Sequence, residues 1–141
     1  MKIRKHKEKS RLIIYKGNEL LLFQKVSNEL EYGLIGGFLK KGESPEEALI
    51  RETYEETSVR LSSEHLKYHT SITIDQDEKN RLTKHYFVSK EYSNPFILAE
   101  PQNFRKIEWV YWEDAIKSLN KSDKKIIKEL FKPCKINHKT Q

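Results

Sequence analysis

The segment from Ser44 to Thr57 constrains the fold more than any other part of the chain, because its residues favour a single backbone conformation. Ser44 suits a helix N-cap, Pro45 suits the first helical position, and Glu47 can return a hydrogen bond to the capping residue. These three residues form a capping box. Near Thr57, β-branched residues and serines weaken the pattern. The sequence therefore predicts a helix that begins after Ser44 and ends near Thr57.

One flank of this helix is acidic. Glu52, Glu55 and Glu56 stand at positions i, i+3 and i+4, so they fall within an arc of about 100° on a helical wheel. From Glu43 to Glu56, six glutamates accompany one arginine in a chain whose net charge is +6. Like charges at these spacings repel by roughly 0.2–0.5 kcal/mol per pair. Two interpretations remain open: a solvated acidic face, or carboxylates gathered around Mg²⁺ or Mn²⁺, which prefer oxygen ligands.

Two β-hairpins and a short strand are predicted around the helix. Turn residues and charged loops separate the apolar, β-prone runs. The predicted strands cover residues 11–16 and 20–26 around a Gly17–Asn18 turn, residues 32–35 ended by Gly36 and Gly37, and residues 66–74 and 82–89 around the charged loop 75–81. A flexible loop at 38–43 is expected to lead into the helix.

The last third of the chain is predicted to contain one strand and two helices. An irregular connection with two prolines, residues 90–105, precedes a strand at 106–112 and helices at 113–119 and 122–131. We interpret residues 1–141 as one domain. The basic stretch 1–10 and the tail 134–141 are expected to be mobile.

The residues around the acidic helix follow a spacing that resembles the Nudix box, the signature of the Nudix hydrolases. Gly37 is followed by five residues, Glu43, seven residues, and then Arg51-Glu52-Thr53-Tyr54-Glu55-Glu56-Thr57-Ser58-Val59. All the charged positions of the family pattern are present. Thr53 stands where the family has an aliphatic residue. Ser58 replaces a glycine and suggests a different turn at the end of the helix.

The resemblance implies an α+β Nudix fold, in which a mixed β-sheet is sandwiched between helices. It implies a Mg²⁺- or Mn²⁺-dependent enzyme that cleaves the pyrophosphate bond of a nucleoside diphosphate derivative: a nucleoside triphosphate, a nucleotide sugar or ADP-ribose, or a dinucleoside polyphosphate. The alternative is a Nudix-fold regulatory module that binds a nucleotide or RNA without turnover.

The resemblance also assigns roles to individual residues. Glu52, Glu55 and Glu56 would bind the metal together with the Gly37 carbonyl, while Arg51 and Glu43 would form an orienting ion pair. For the base that deprotonates water, Glu52 is the first choice. Glu100, from a later loop, is the second candidate and a further candidate ligand, whereas the loop acids Asp75, Asp77 and Glu78 are better explained by solvation.

Basic residues beside the predicted strands are candidates for binding substrate phosphates. Arg11, Lys25, Arg81 and Lys84 meet this description, although each taken singly is better explained as an exposed solubilising charge. Tyr32 can stack on a base or pack in the core.

The composition of the chain limits which binding partners and which cellular compartment are expected. No stretch approaches the roughly 18 apolar residues of a membrane span, and the single cysteine, Cys134, cannot form an internal disulfide. We therefore expect a cytoplasmic protein, and the family resemblance implies that it acts on a small nucleotide. RNA ranks behind this as a partner, because the basic segments 2–11 and 121–139 lack the aromatic platform of single-strand binders. The family resemblance makes a homodimer a further expectation.

Overall fold

The computed structural model describes residues 5–90 and 95–132. Within these residues the chain forms seven strands and three α-helices. In chain order the elements are β1 (Lys5–Lys16), β2 (Glu19–Lys25), β3 (Tyr32–Gly33), β4 (Ile35–Phe38), α1 (Pro45–Thr57), β5 (Lys67–Asp75), β6 (Asn80–Lys90), β7 (Phe104–Tyr111), α2 (Trp112–Ala115) and α3 (Lys121–Phe131). Single 3₁₀ turns lie at Ser63–His65 and Ile116–Ser118.

Strand β1 is the centre of one mixed sheet. It runs parallel to β6 along most of its length, while its other edge pairs antiparallel with β4 and then with β2. Strand β5 pairs antiparallel with β6, and β3 and β7 both pair with β2. Both predicted hairpins are therefore present.

The helices cover both faces of this sheet, because alternate residues of a strand point to opposite sides. On β1, Leu12 and Ile14 pack in one cluster with Leu49 of α1. Ile13, between them, packs in a second cluster with Ile126 and Ile127 of α3. These two clusters confirm the predicted sandwich of a mixed sheet between helices.

The N-terminal stretch differs from its prediction. Lys5–Ser10 form the first half of β1 instead of a mobile tail, with Lys5 opposite Asn80 and Ser10 opposite His85. Residues 1–4 and the predicted tail 134–141 lie outside the described residues. The N-terminal pattern looked merely basic in the sequence because the strand that orders it, β6, comes much later in the chain.

The glycine pair also differs from its prediction, because Gly36 and Gly37 lie inside β4 and do not end a strand. At Gly36 the backbone φ is +135°, and an added Cβ would lie 2.0 Å from the Ser10 carbonyl oxygen. A glycine is therefore required there for β4 to approach β1.

Helix α1 begins and ends where predicted. The capping box of Ser44 and Glu47 is formed in both directions. The expected change of turn at Ser58 is wrong, since this serine adopts the left-handed conformation, with φ +63°, that the family's glycine would adopt. Thr53 is fully buried, and among the described residues its hydroxyl has no hydrogen-bond partner.

The predicted helix at 113–119 is only partly helical. Helix α2 contains four residues and continues into a 3₁₀ turn. The longest helix of the described residues, α1, has 13 residues, and no helix in this part of the chain has the length and apolarity of a membrane span.

Candidate active site

Glu56 is the most buried of the three clustered glutamates. Its side chain reaches β4, where the Gly36 N–H donates a 3.0 Å hydrogen bond to Oε1. The residue is 6% exposed. Burial raises the pKa of Glu56 to about 8, opposed by the Gly36 hydrogen bond and Arg11 and reinforced by Glu52 and Glu100. The fold therefore holds a carboxyl group where other carboxylates disfavour its ionisation.

Glu52 lies directly against the backbone of β4. A Cβ added at Gly37 would stand 2.4 Å from Cδ and 2.6 Å from Oε2 of Glu52. The absence of a side chain at this position therefore creates the space for the Glu52 carboxylate.

Arg51 links the loop before α1 to the acidic flank. Its guanidinium binds Glu43 through two parallel hydrogen bonds of 2.7 and 2.9 Å, so the expected ion pair is present. It also donates to the Phe38 carbonyl at 3.1 Å, to Glu52 at 2.9 Å and to Glu55 at 3.1 Å. The hydrogen bonds from Arg51 and from the Lys40 N–H lower the pKa of Glu43 to about 2.

This arginine changes two expectations. The loop 38–43 was expected to be flexible, but Phe38 belongs to β4 and Glu43 is tied to α1. The repulsion expected along the acidic flank is partly offset, since Arg51 contacts both Glu52 and Glu55.

The expected metal ligands are neighbours but do not converge on one point. In residues 5–90 and 95–132, no group of three or more His, Cys, Asp or Glu side chains is arranged to hold an ion. Arg51 engages Glu52 and Glu55, whereas Glu56 turns towards Gly36. The donors are carboxylate oxygens, which fit a hard divalent cation, and such an ion would favour the ionised form of Glu56.

Glu100 is brought to the site by the segment 95–100. The N–H of Ile97 donates to the Thr57 carbonyl and that of Ala99 to the Glu56 carbonyl, at 3.2 and 2.9 Å. The segment therefore lies along the end of α1. Glu100 is close enough to Glu56 to raise its pKa.

The alternative loop acids have structural partners away from α1. Asp75 accepts a 2.8 Å hydrogen bond from Arg81. Asp77 accepts from the N–H groups of Lys79 and Asn80 and closes the β5–β6 turn.

Arg11 is a buried cation and not a surface charge. It donates to the carbonyl oxygens of Ser10 and Leu34 at 2.9 and 3.0 Å. Burial lowers its pKa, while Asp123 on one side and Glu56 on another favour its charged form. Arg11 therefore lies between Glu56 on the acidic flank of α1 and Asp123 of α3.

Lys84 holds α3 against the sheet. Its ammonium group donates to Ser122 Oγ at 2.7 Å, to Asn120 Oδ1 at 3.3 Å and to the buried Asp123 at 3.4 Å. The Tyr86 hydroxyl donates to the same carboxylate. Burial lowers the pKa of Lys84 and raises that of Tyr86.

The remaining candidates for substrate binding are placed differently. Tyr32 is 8% exposed and belongs to the core cluster under α3, so it is not available to stack on a base. Arg81 forms an ion pair with Asp75. It lies five residues before Tyr86 on β6, which places the two residues about 16 Å apart at the usual rise of a strand. Lys25, at the end of β2, contributes positive potential at Lys9 and Lys84.

The sequence reasoning missed Asp123 and Lys9. Asp123 donates its backbone N–H to Asn120, the N-cap of α3, so the Asn-x-x-Asp spacing was the available signal. Lys9 is one of four basic residues at alternate positions of β1, a period of two that indicates a common face of a strand.

A groove of about 750 Å³ lies between the β5–β6 hairpin and α3. Its floor is apolar, and its rim carries amide and ammonium groups. Its lining includes Ile72, Ile74, Leu82, Asn120, Lys121 and Lys125.

Comparison with known proteins places this geometry in a family. The NUDIX domain model matches residues 6–130. There is no match among curated proteins.

Several solved structures share the fold. The E. coli ORF135 protein is 21% identical, with a TM-score of 0.73 over 89% of this chain and 88% of that one. A MutT NUDIX hydrolase from Burkholderia pseudomallei is 19% identical, with a TM-score of 0.69 over 89% and 98%. The E. coli dihydroneopterin triphosphate pyrophosphohydrolase is 16% identical, with a TM-score of 0.70 over 91% and 97%.

These likenesses concern the fold, whereas the family match spans nearly the whole described chain and includes the acidic helix and its arginine. The chain therefore belongs to the Nudix family of pyrophosphohydrolases.

Proposed function

We propose that this protein hydrolyses the pyrophosphate bond of a nucleoside diphosphate derivative in a reaction that requires Mg²⁺ or Mn²⁺. Glu56 carries this proposal. Its carboxyl group is buried beside Glu52 and Glu100, an arrangement that is costly for a protein without a cation and favourable with one. An acidic face selected only for solubility would leave these carboxylates in water.

The residues that would hold the cation are Glu52, Glu55 and Glu56, joined by the Gly37 carbonyl and Glu100. A bound divalent ion would supply neutralisation of phosphate charge and a lowered pKa for water. Arg51 and Glu43 have a positioning role, because their paired hydrogen bonds fix the loop against α1. Glu52 and Glu100 remain the candidates to accept the proton from water.

The groove beside α3 is our candidate for the nucleoside. Its apolar floor of Ile72, Ile74 and Leu82 suits the face of a base. The Asn120 amide is already engaged, since its oxygen accepts from Lys84 and from the Asp123 N–H and its nitrogen donates to the Asp123 carboxylate. We therefore expect recognition by shape more than by hydrogen bonds. Arg11 and Lys25 would provide positive potential for the phosphates.

A panel of substrates tests the proposal. Purified protein is incubated with nucleoside triphosphates, ADP-ribose, a nucleotide sugar and dinucleoside polyphosphates, with Mg²⁺, with Mn²⁺ and with a chelator. We expect metal-dependent cleavage of at least one of them. A triphosphate would yield phosphate or pyrophosphate with a shortened nucleotide, and each of the other substrates would yield two phosphorylated products that chromatography separates. The absence of turnover with either metal would contradict the proposal, and tight nucleotide binding without turnover would favour the regulatory alternative.

Matched variants test the residue assignment. Glu55→Gln and Glu56→Gln should each lower kcat by orders of magnitude while the circular dichroism spectrum stays close to that of the parent. Glu129→Gln, an exposed position on α3, makes the same chemical change away from the site and should retain full activity. Retained turnover in Glu56→Gln would overturn the assignment of that residue.

A further inference from the structure

Three side chains form a line of hydrogen bonds across three neighbouring strands of the sheet. Glu8 lies on β1, His85 on β6 and Tyr68 on β5. The Tyr68 hydroxyl is 3.0 Å from His85 Nδ1, and His85 Nε2 is 2.8 Å from the Glu8 carboxylate. These residues are distinct from the acidic residues of α1 and from the residues that line the groove beside α3. We call them the Tyr–His–Glu triad.

The Glu8 carboxylate determines which nitrogen of the imidazole can accept a proton. An ionised carboxylate only accepts hydrogen bonds, so His85 Nε2 donates to Glu8. In a neutral imidazole the other nitrogen, Nδ1, then carries a lone pair. The Tyr68 hydroxyl therefore donates to His85 Nδ1. A phenol oxygen is thus held beside a base, and a third group orients that base, which is the arrangement that activates a nucleophile.

An irregularity in β5 brings Tyr68 to the face that His85 occupies. The β5–β6 register shifts by one between Tyr68 and Thr70, which makes His69 an extra residue of β5. Tyr68 consequently stands opposite Phe87, which is two residues from His85 on β6 and points to the same side. In a regular strand, the alternation of side chains would turn Tyr68 to the other face. Bulges of this kind re-aim side chains and are frequent beside active sites.

The phenol is accessible, whereas its base is sheltered. Tyr68 is 49% exposed, but the side chain of His85 is only 14% exposed. The Tyr68 ring packs edge-on against Phe87, with the ring centres 5.2 Å apart, and this contact restricts the phenol. A reagent in solution can therefore reach the Tyr68 oxygen while the imidazole stays in place between the strands.

The three strands are joined without help from the triad. Strand β1 pairs with β6 continuously from Lys5 to Tyr15. On the same face, a second row of side chains links the strands: His6 Nε2 is 2.7 Å from the Thr83 hydroxyl, which is 2.9 Å from that of Thr73. The triad therefore adds a phenol, a base and a carboxylate to a pairing that is already complete.

We propose that Tyr68 is a nucleophile that accepts an acyl group from an activated carboxylic ester, with His85 as its base and Glu8 as the residue that positions His85. The phenol oxygen bonds to the ester carbonyl carbon, and the phenol proton passes to His85 Nδ1. The bond between that carbon and the leaving oxygen breaks, and the leaving group takes the proton from His85. The products are Tyr68 acylated on its oxygen and a free alcohol or phenol.

The charge of the triad favours a neutral donor. The Glu8 side chain is 43% exposed, so its carboxylate repels an anionic reagent that approaches Tyr68. This reaction goes beyond pyrophosphate hydrolysis and takes place at different residues, so neither proposal depends on the other.

Acetylation by p-nitrophenyl acetate tests the triad, with two other tyrosines as internal controls. Tyr111 is 40% exposed and its hydroxyl donates to Glu113 at 2.9 Å, while Tyr54 is 47% exposed. Mass spectrometry of peptides from one sample gives the acetylation rate at each of the three tyrosines. We expect Tyr68 to react at least tenfold faster than either control, since a positioned base raises the rate of its nucleophile.

His85→Gln distinguishes a base from a structural partner. Glutamine can hydrogen-bond to both neighbours but has no basic nitrogen, so acetylation of Tyr68 should slow at least tenfold while the control tyrosines change less than twofold. Glu8→Gln keeps an acceptor for His85 and loses the charge that stabilises an imidazolium, so a smaller loss of about threefold or more is expected. His69→Gln is the matched control, because it removes an exposed histidine next to Tyr68 in the sequence and should leave the rate within twofold.

Equal acetylation rates at Tyr68 and the control tyrosines, or a Tyr68 rate that His85→Gln leaves unchanged, would overturn the inference and make the triad a structural contact. If circular dichroism shows that His85→Gln does not fold, Glu8→Gln decides, and unchanged acetylation of Tyr68 in that variant overturns the inference. Tyr68→Phe should hydrolyse pyrophosphate bonds at the parent rate. A loss of that activity would show that the triad is not a separate site.

Discussion

Gly37 gives the Glu52 carboxylate its position against β4, since a Cβ there would overlap it. We expect Gly37→Ala to lower kcat at least tenfold, because Glu52 must move away from the other glutamates. Steady-state kinetics with the best substrate of the panel measures this effect.

Gly42→Ala is the matched control for that substitution. Gly42 has φ +86° with nothing within 4 Å of an added Cβ, so alanine strains the backbone without touching Glu52. It should cost about 1 kcal/mol of stability and leave kcat near the parent value. If both variants lost activity equally, general destabilisation would explain the Gly37 effect.

Glu56 makes the metal-free protein sensitive to pH. Its pKa is raised from 4.5 to about 8 by burial, so the folded state binds this proton more tightly than the unfolded chain. The resulting stabilisation is complete below pH 4.5 and is lost as the pH rises to about 8. Each pKa unit corresponds to about 1.4 kcal/mol, so the loss amounts to a few kcal/mol.

Thermal unfolding between pH 5 and 8.5 in a chelating buffer measures this loss. We expect Tm to fall with pH, the fall to be smaller in Glu56→Gln, and Mg²⁺ to restore Tm at high pH because it binds the ionised form. Identical pH profiles for the parent and Glu56→Gln would show that this carboxyl is not the group responsible.

Helix α1 ends on a residue that is unfavourable for its conformation. Ser58 has φ +63°, and the left-handed region costs a residue with a side chain about 1–2 kcal/mol relative to glycine. Ser58→Gly should therefore raise the free energy of unfolding by about 1 kcal/mol, measured by urea denaturation.

Ser62→Gly serves as the comparison, because Ser62 has φ −102° and gains nothing from glycine. We expect it to be neutral or to destabilise by up to about 1 kcal/mol. Stabilisation by both substitutions would mean that backbone strain at Ser58 is not the cause.

The elements differ in how far sequence predicted them. Helix α1 was predicted with its start at Pro45 and its end near Thr57, because its capping box, its proline and its acidic spacing are all local. The first half of β1 was not, since Lys5–Ser10 become a strand through pairing with β4 and with β6. The glycine pair was predicted to end a strand, because nothing local indicates that another strand passes within contact distance.

At the scale of the whole molecule, a buried ion pair joins the α3 layer to the sheet. Asp123 is 1% exposed and faces Lys84, which is nearly as buried. Asp123→Asn keeps an acceptor for the Tyr86 hydroxyl but leaves Lys84 without its counter-charge. We expect a loss of about 3 kcal/mol, measured as the change in the urea unfolding midpoint.

A double-mutant cycle isolates the cause. Adding Lys84→Met to Asp123→Asn removes the unpaired charge and should recover most of the lost stability. If the two single losses simply added in the double variant, the pair would contribute no coupling to the stability of the protein.

The sequence by itself determined the Nudix spacing, the limits and the N-terminal cap of α1 and the alternating pattern of the strands, because these are local or periodic properties of neighbouring residues. Only the tertiary structure decided that Glu56 is buried beside Glu100, that Arg11 and Lys84 lie inside, and that Tyr32 belongs to the core. It also decided that the basic stretch from Lys5 forms the first half of β1, with Lys9 opposite Phe38. The physical reason is that burial and charge environment depend on segments far apart in the chain. Backbone pairing between such segments uses the same N–H and C=O groups whatever the side chains, so the local sequence pattern hardly indicates it.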